Sequence, residues 1–181
     1  MATRSDDRGP GVVATVALGS NLGDRHGHMQ AAVDALARLP DSRWMTGSQV
    51  YETVPVGGPR QGLYLNAVVR LETRLSARRL LDHLFAIERD RGRVRGTERW
   101  GPRSLDLDLL LHGDATVDEP GLCVPHPRLA ERRFVLLPLC EFAAAERDPR
   151  SGETFEILAE RAPAVGREIV VGLALEPKHT K

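Results

Sequence analysis

The chain has 181 residues, and its 25 lysines and arginines balance its 25 aspartates and glutamates, so that its formal net charge is zero. A hydrophobic content of 41% and a charged content of 28% are typical of a globular protein with a real core. The balanced charge argues against a protein that mainly coats nucleic acid or an anionic membrane, and no stretch approaches the about 18 apolar residues of a membrane-spanning helix.

The two ends of the chain differ in composition from its middle. Residues 1–11 are polar and lack the apolar segment of a secretory signal, so we expect a disordered N-terminal extension. We expect residues 12–175 to form one folded domain and residues 176–181 to form a tail. The two cysteines, Cys123 and Cys140, lack metal-ligand spacing, which suits a reducing cytoplasm.

The folded part begins with a strand, a turn and a helix. The β-branched, apolar run from Val12 to Leu18 predicts a buried strand, and turn residues follow from Gly19 to Asp24. Asp24 suits a helix N-cap, and Pro40 closes the helix. The apolar residues at helical spacing are Met29, Val33, Leu36 and Leu39. Because the turn lacks the Gly-Lys-Ser/Thr ending of a phosphate-binding loop, we interpret it mainly as a tight connection.

Two further strands flank a long loop. Trp44 to Thr53 predicts the second strand, interrupted by Gly47, and Tyr64 to Thr73 predicts the third. The loop 54–63 between them has ten residues, with three Gly and two Pro, which is longer than a hairpin needs. It is either a lid over a site or a plain mobile loop. Asn66 either offers its amide to a flat heterocycle or satisfies backbone groups at a strand end.

A second helix and a fourth strand complete the pattern. Ser76 can cap a helix that Gly92 ends. The apolar stripe of this helix contains Leu80, Leu81, Leu84 and Ile87. The order strand, helix, strand, strand, helix, strand predicts an α+β fold: a ferredoxin-like βαββαβ sandwich with an antiparallel sheet, helices on one face and a C-terminal extension.

The strongest functional signal is a basic loop followed by an acidic strand. From Glu88 to Arg103 there are six arginines against three acids. The following strand alternates Leu with Asp, which places Asp106 and Asp108 on one face, roughly 6.5–7 Å apart. Two like charges on one face favour a bound cation such as Mg²⁺. Carboxylates and substrate phosphates commonly bind this ion jointly, and the arginines of the loop suit phosphate binding. The alternative is a solvated strand face beside an ordinary exposed loop.

The last third of the sequence carries weaker signals. His126 lies between two prolines, and we expect a short helical turn to follow with Arg128, Arg132 and Arg133. Taken alone, His126 is either a ligand-binding residue or an ordinary surface loop residue. The pattern after residue 143 predicts a weak helix and an edge strand, at Phe155 to Arg161 and at Glu168 to Leu175.

Several motifs together resemble one family, the 6-hydroxymethyl-7,8-dihydropterin pyrophosphokinases of folate biosynthesis. The matching segments, in family order over about residues 12–142, are Ala17–Leu22, Ser48–Gly57, Tyr64–Ala67, Gly92–Arg95, Glu98–Asp108 and Pro125–Phe134. The block Arg-Trp-Gly-Pro-Arg-x-Leu-Asp-Leu-Asp is highly specific. The resemblance implies transfer of the terminal diphosphate of ATP to the hydroxymethyl group of the pterin, with release of AMP.

The resemblance also implies residue roles. It implies that the catalytic residues are Arg93, Arg103, Asp106 and Asp108, and that the two aspartates hold two Mg²⁺ ions. Pterin binding would fall to Thr53, Val54, Val56, Tyr64, Asn66, Trp100 and Phe134. Nucleotide binding would fall to Glu88, Arg93, Arg95, Arg99, Trp100, Arg103, Leu109, His126 and Arg132. The segments 54–63 and 93–103 would close to exclude water. We hypothesise that Asp108, through the metal, orients the attacking hydroxyl group.

On this basis we expect a monomeric, cytoplasmic enzyme whose partners are ATP and the pterin, without nucleic acid or membrane. The chain departs from the family at Gly96, where some members carry Lys, at Pro127, where some carry Tyr, and at Val54, where some carry Pro. The first two departures bear on nucleotide affinity and not on the type of reaction. Two other interpretations are an RNA-binding module that stacks bases on Trp100 and an inactive relative that only binds pterin. The Asp pair disfavours both, because its carboxylates would repel RNA phosphates and its metal-binding pattern is intact.

Overall fold

The structure is a computed structural model, and it describes residues 10–93, 101–164, 166 and 168–178. In chain order its strands and helices are β1 (Val12–Ser20), α1 (Arg25–Leu36), β2 (Ser42–Gly47), β3 (Gln49–Thr53), β4 (Tyr64–Thr73), α2 (Ala77–Asp90), β5 (Asp106–His112), β6 (Val117–Glu119), β7 (Leu122–Val124), α3 (Arg133–Ala143), α4 (Phe155–Arg161) and β8 (Glu168–Ala174). A 3-10 turn, Leu129–Glu131, precedes α3. Over these described ranges, no helix combines the length and the apolar character needed to cross a membrane.

Six strands form one antiparallel sheet, and β6 and β7 form a separate hairpin. The sheet order is β5-β1-β4-β3-β8, and β2 also pairs with β4. The predicted second strand is therefore two shorter strands that meet at Ser48. The buried Ser48 hydroxyl accepts a hydrogen bond from the Val68 N–H at 3.0 Å, while the Ser48 N–H donates to the Val68 carbonyl at 2.9 Å. This side-chain contact interrupts the ladder without separating either strand from β4.

The helices α1 and α2 cover one face of the sheet, and both begin at the predicted caps. Asp24 accepts from the Gly27 N–H at 3.0 Å, and Ser76 accepts from the Arg79 N–H at 3.3 Å. The predicted apolar stripes are buried against alternate residues of β1 and β4, such as Val16 and Val69. Burial of these stripes supplies most of the stability of such helices.

The opposite face carries α3 and α4, so the prediction of helices on one face is wrong for this half of the molecule. Ala17, Val68 and Leu110 alternate with the residues of the first face and belong to one buried cluster with residues of both helices. The physical reason is visible in β1, where the residues from Ala14 to Ser20 are all buried. A strand that is apolar in both directions needs a layer on each side.

The C-terminal helix and strand occur where the sequence predicts them. β8 pairs with β3 at the edge of the sheet, and Glu168 lies opposite Thr53 in this register. The exposed fractions of Ile169, Val170 and Val171 are between 42% and 44%, as expected for an edge strand. This segment therefore extends the sheet beside the point where the loop 54–63 begins. The predicted N-terminal extension and tail lie mostly outside the described residues, so those boundaries stay predictions.

Candidate functional site

The first residues of β5 carry the predicted acidic pair. In the pairing of β5 with β1, Asp106 lies opposite Gly19 and Asp108 opposite Ala17. Both carboxylates have the same alternation as Leu110, which packs on the α3 side, while Leu107 and Leu109 point into the core beneath α1 and α2. The predicted shared face is therefore confirmed.

Arginines neutralise both carboxylates. Asp106 accepts from Arg93 and from Arg103, the latter through Nη1 and Oδ2 at 2.8 Å. Asp108 Oδ2 accepts from Arg132 Nη1 at 2.6 Å. Burial alone would raise the pKa of the Asp106 carboxyl, but the charges of Arg93 and Arg103 outweigh burial and leave that pKa below its ordinary value. Asp106 is therefore an anion at neutral pH.

His126 stands on the other side of Asp108, with Nε2 at 3.8 Å from Asp108 Oδ2. Its Nδ1 accepts a hydrogen bond from the Arg128 N–H at 3.1 Å. Burial lowers the pKa of His126; the carboxylate of Asp108 acts in the opposite direction, while the charges of Arg132 and Arg128 lower it further. The ring is therefore neutral at neutral pH, and its proton sits on Nε2, facing Asp108.

Two of the predicted nucleotide-binding residues, Glu88 and Leu109, are buried behind the acidic pair. The exposed fraction of Glu88 is 1%, and its carboxylate accepts from Arg93 and from the Leu107 N–H, the latter at 2.8 Å. It therefore fixes both an arginine of the site and the start of β5. Leu109 has an exposed fraction of 3% and packs in the core beneath α1 and α2. A nucleotide contact from Leu109 would come from its backbone.

A second part of the site is built from polar and aromatic residues, and arginines that bind the acidic pair also contact it. Thr53 and Asn66, both buried, are joined by a hydrogen bond from Asn66 Nδ2 to Thr53 Oγ1 at 2.8 Å. This contact of Asn66 is made to a side chain, and the offer of its amide to a flat heterocycle stays a prediction. Burial raises the pKa of Tyr64, which lies beside Arg103. Phe134 carries the guanidinium of Arg132 at 5.9 Å from its ring centroid.

One cleft of about 510 Å³ is lined by residues of both parts. The predicted residues that line it are Thr53, Val54, Val56, Tyr64, Asn66, Arg103, Asp106, Asp108, Arg132 and Phe134. A volume of this size suits small-molecule ligands. The lining residues that the sequence motifs did not predict as site residues include Gln61, Glu131, Arg133 and Pro163. Gln61 belongs to the loop 54–63, whose length and composition could have indicated a site residue. Nothing in the local sequence indicates that Pro163 lines a cleft.

Three of the predicted nucleotide-binding residues lie outside the described part of the chain. Arg95, Arg99 and Trp100 belong to residues 94–100, which lie outside the described residues together with Gly96. Their predicted roles stay predictions. Within the described ranges, no group of three or more His, Cys, Asp or Glu side chains is arranged to hold a metal ion. A cation at the Asp pair would therefore draw further ligands from phosphate oxygens and water, as Mg²⁺ commonly does.

Comparisons with known proteins show which family this chain belongs to. The sequence profile of the 7,8-dihydro-6-hydroxymethylpterin-pyrophosphokinase (HPPK) family matches residues 15–144. A 2-amino-4-hydroxy-6-hydroxymethyldihydropteridine pyrophosphokinase from Pseudomonas aeruginosa is 46% identical over 144 residues, covering 80% of this chain and 88% of that protein. The protein of the same name from Haemophilus influenzae is 40% identical over 151 residues, covering 83% of this chain and 94% of that protein.

The fold is also found among solved structures. The HPPK-DHPS protein of Plasmodium falciparum, solved with SDX-DHP, matches with a TM-score of 0.68 at 14% sequence identity. The match covers 87% of this chain and 45% of the Plasmodium chain, so this chain spans less than half the length of that protein. At this identity the likeness concerns the fold alone.

Proposed function

Because the chain belongs to the 7,8-dihydro-6-hydroxymethylpterin-pyrophosphokinase family, it transfers diphosphate from ATP to hydroxymethyldihydropterin in folate biosynthesis, and we propose that the transfer occurs in the cleft described above. One observation carries this proposal: a single cleft is lined both by an arginine-bound acidic pair and by the aromatic residues Tyr64 and Phe134. The first suits a triphosphate and the second suits a flat ring. The order of β1, α1, β2 with β3, β4, α2 and β5 also supports our proposal that the core is ferredoxin-like.

The pterin ring binds beside the aromatic residues. Tyr64 and Phe134 stack on its faces, while Thr53 and Asn66 bind its polar edge. The hydrogen bond between Thr53 and Asn66 holds the plane of the amide before the ligand arrives, which lowers the ordering cost of binding. The loop beginning at Val54 covers the ring and adds backbone contacts. Trp100, from the segment that lies outside the described residues, is proposed as a further cover.

The triphosphate binds beside the acidic pair, where Asp106 and Asp108 would hold two Mg²⁺ ions. The fit rests on the chemistry of the donors: both are carboxylates, and the lowered pKa of Asp106 keeps it ionised. When bound, Mg²⁺ supplies charge neutralisation at the phosphates. Arg93 and Arg103, which neutralise Asp106 in this structure, turn to phosphate oxygens when the nucleotide binds. Arg95, Arg99, His126 and Arg132 complete the nucleotide site, and Glu88 acts through Arg93.

The reaction is an in-line displacement. The hydroxymethyl oxygen of the pterin attacks the β-phosphorus of ATP, the bond from that phosphorus to AMP breaks, and the hydroxyl proton is lost to solvent. We propose that Asp108, held between His126 and Arg132, orients the attacking hydroxyl group. Positioning supplies most of the catalysis in such transfers, and closure of the loops around the cleft excludes water as a competing acceptor.

The wider setting of the enzyme is also a proposal. We propose a cytoplasmic monomer, built on the domain 12–175, that binds ATP and the pterin and neither nucleic acid nor membrane. The formal net charge of zero supports the absence of nucleic-acid and anionic-membrane binding.

Product analysis tests the proposed function. The purified protein is incubated with ATP, Mg²⁺ and 6-hydroxymethyl-7,8-dihydropterin, and the nucleotides are resolved. We expect AMP only when the pterin is present, together with pterin diphosphate. ADP as the product would mean that the γ-phosphorus is attacked, and pterin binding without turnover would favour an inactive relative.

A further inference from the structure

Arg133, which lines the cleft, makes contacts that the proposed function does not use. It is the first residue of α3. Its Nε donates to Glu168 Oε2 at 3.0 Å, and its Nη1 donates to the Ala159 carbonyl at 2.8 Å. Both partners lie beyond residue 144, where the match to the family profile ends. The C-terminal elements α4 and β8 therefore hold a side chain of the cleft.

The register of the sheet places Glu168 on the face that carries the site. Glu168 lies opposite Thr53 in the pairing of β8 with β3, and Thr53 lies opposite Tyr64 in the pairing of β3 with β4. Because residues directly opposite each other in antiparallel strands share a face, these three side chains lie on one face. In the order β5-β1-β4-β3-β8, Asp106 belongs to the first strand and Glu168 to the last. The proposed pterin site therefore lies between the acidic pair and the pair of Arg133 with Glu168.

The pair of Arg133 with Glu168 is unfavourable as a purely structural contact. The side chain of Glu168 is 9% exposed, and its Oε1 is buried without a hydrogen-bond partner among the described residues. Arg133 lies in the first turn of a helix, where the helix dipole disfavours a cation. In the described part of the chain, no group accepts a hydrogen bond from its Nη2. Such departures from the rules of stability are typical of functional sites.

The direction of the reaction determines how the pterin ring lies in the cleft. Its hydroxymethyl group must reach the phosphates beside Asp106 and Asp108, so the opposite end of the ring points away from β5, towards β3 and β8. That end carries an amino group, which donates hydrogen bonds, and the 4-oxo group, which is its strongest acceptor. Because a guanidinium group can only donate, the 4-oxo group is the part of the pterin that suits Arg133.

We propose that Arg133 is a specificity-determining residue whose Nη2 donates to the 4-oxo group of the pterin, and that Glu168 is the positioning residue that holds the guanidinium group there. The bonds from Nε and Nη1 fix the plane of this group, so the third nitrogen is oriented before the ligand arrives. The inference rests on the proposed function, because it takes the pterin to bind between Tyr64 and Phe134.

Two ligands that differ at position 4 of the ring test this contact. 6-Hydroxymethylpterin carries the 4-oxo group, and 2,4-diamino-6-hydroxymethylpteridine carries an amino group in its place. Their dissociation constants are measured by calorimetry on the full chain, with Mg²⁺ and a non-hydrolysable ATP analogue present throughout. The proteins are the wild type, Arg133→Met, Glu168→Gln and the double variant. We expect the wild type to prefer the 4-oxo ligand, because an amino group offers Arg133 no acceptor.

The variants should change this preference in a fixed order. Arg133→Met should reduce it by about tenfold or more, which is the scale of a hydrogen bond to a charged group. Glu168→Gln should reduce it in part, because the amide still accepts from Arg133 but lacks the charge. The double variant should lose no more than Arg133→Met, because Glu168 acts through Arg133.

Glu146→Gln is the matched control for Glu168→Gln. Glu146 also binds an arginine, Arg70, on this face of the sheet, but neither residue lines the cleft. Its variant should bind both ligands as the wild type does. If Arg133→Met does not fold, Arg133→Lys replaces it. Lysine keeps the charge without the planar fork, so the preference should again fall.

The outcomes separate this inference from the proposed function. A wild type without preference, an unchanged preference in Arg133→Met or an equal weakening of both ligands by that change would overturn the role of Arg133. An unchanged preference in Glu168→Gln, or a larger loss in the double variant than in Arg133→Met, would overturn the role of Glu168.

AMP release by the wild type is measured on the same preparation, with ATP and 6-hydroxymethyl-7,8-dihydropterin. A wild type that releases AMP, together with an unchanged preference in Arg133→Met, contradicts only this inference. A wild type that releases no AMP contradicts the proposed function.

Discussion

Two ion-pair systems on the same face of the sheet differ in how their charges are matched. Arg70 and Glu146 form a closed pair away from the cleft, with two parallel hydrogen bonds at 2.7 and 2.6 Å and with Phe142 beneath the guanidinium at 5.0 Å. In the cleft, Asp106 is shared by Arg93 and Arg103. Each oxygen of Glu146 therefore has one partner from a single arginine, whereas Asp106 draws its partners from two different segments.

The difference indicates what each system does. Arg70 is 9% exposed, and its bidentate pair with Glu146 holds α3 and the following turn against β4. We expect this pair to stay closed. A carboxylate shared between two arginines can release both of them to an incoming anion while it takes a cation instead. We therefore expect changes in the cleft to affect turnover and changes at Arg70 and Glu146 to affect stability.

The largest expected effect is that of Asp106→Ala. This change removes a metal-binding carboxylate and the anchor of Arg93 and Arg103, so we expect turnover to fall by at least about 100-fold, the scale on which single electrostatic groups act in catalysis. Mg²⁺-dependent nucleotide binding should be lost as well. The measurements are AMP release and calorimetric titration with Mg²⁺ and an ATP analogue. Nucleotide binding that stays as tight as in the wild type would show that Asp106 holds no metal.

Asp108→Asn tests the residue that we propose to orient the hydroxyl group. The amide keeps the shape of the side chain and can still accept from Arg132, but it loses the charge, so we expect turnover to fall by about 100-fold. The free energy of unfolding should change little, because the side chain of Asp108 is 31% exposed. Steady-state AMP release and urea unfolding measure the two quantities. Normal turnover would contradict the proposed role.

Glu146→Ala makes the opposite prediction. The change leaves the Arg70 guanidinium buried without its bidentate partner, and we expect a loss of about 1–2 kcal/mol in the free energy of unfolding, reduced from a fully buried pair because Glu146 is exposed. AMP release at a temperature well below the transition should equal that of the wild type. The matched control is Glu72→Ala, which breaks the more exposed pair with Arg43 and should cost less. A drop in turnover without a loss of stability would remove the distinction between the two systems.

The smallest effect concerns pH and His126. Its pKa in the folded protein lies below that of an unfolded histidine, about 6.5, so the unfolded chain binds more protons as the pH falls below that value. The wild type should therefore lose stability from about pH 6.5 downwards, relative to His126→Gln, until the folded protein also takes up the proton. Urea unfolding of both proteins at pH 8 and at pH 5.5 gives the comparison. A difference in stability that does not change with pH would mean that His126 is not held neutral.

Local patterns predicted the parts of the fold that local physics decides. The caps at Asp24 and Ser76 are confirmed, and so are α4 and the edge strand that begins at Glu168. Contacts from distant residues decide the rest. Ser48 divides a predicted strand because its hydroxyl accepts from Val68. Pro138 reads as a helix breaker, yet it is buried inside α3 because burial of that helix against the sheet outweighs a lost hydrogen bond.

The candidate site divides in the same way. Alternation along β5 predicts that Asp106 and Asp108 share a face, because that depends only on the strand period. It does not predict that Arg132, twenty-four positions further along the chain, binds Asp108. Nor do the family motifs alone indicate that Glu88 acts behind Arg93, because burial depends on how α2 packs against β5.

The position of β1 has a consequence for amide hydrogen exchange. β1 is paired on both sides, with β4 and β5, and is buried on both faces, so its amides from Val16 to Leu18 should exchange only when the whole domain unfolds. The residue that follows, Gly19, lines the cleft between Asn66 and Asp106. Gly19 at the cleft thus directly follows the part of β1 whose amides should exchange only by global unfolding. The loop 54–63 should instead exchange through local opening. A bound ligand should therefore slow amide exchange strongly in the loop 54–63. In β1 it should slow exchange only as far as it raises the global stability of the domain.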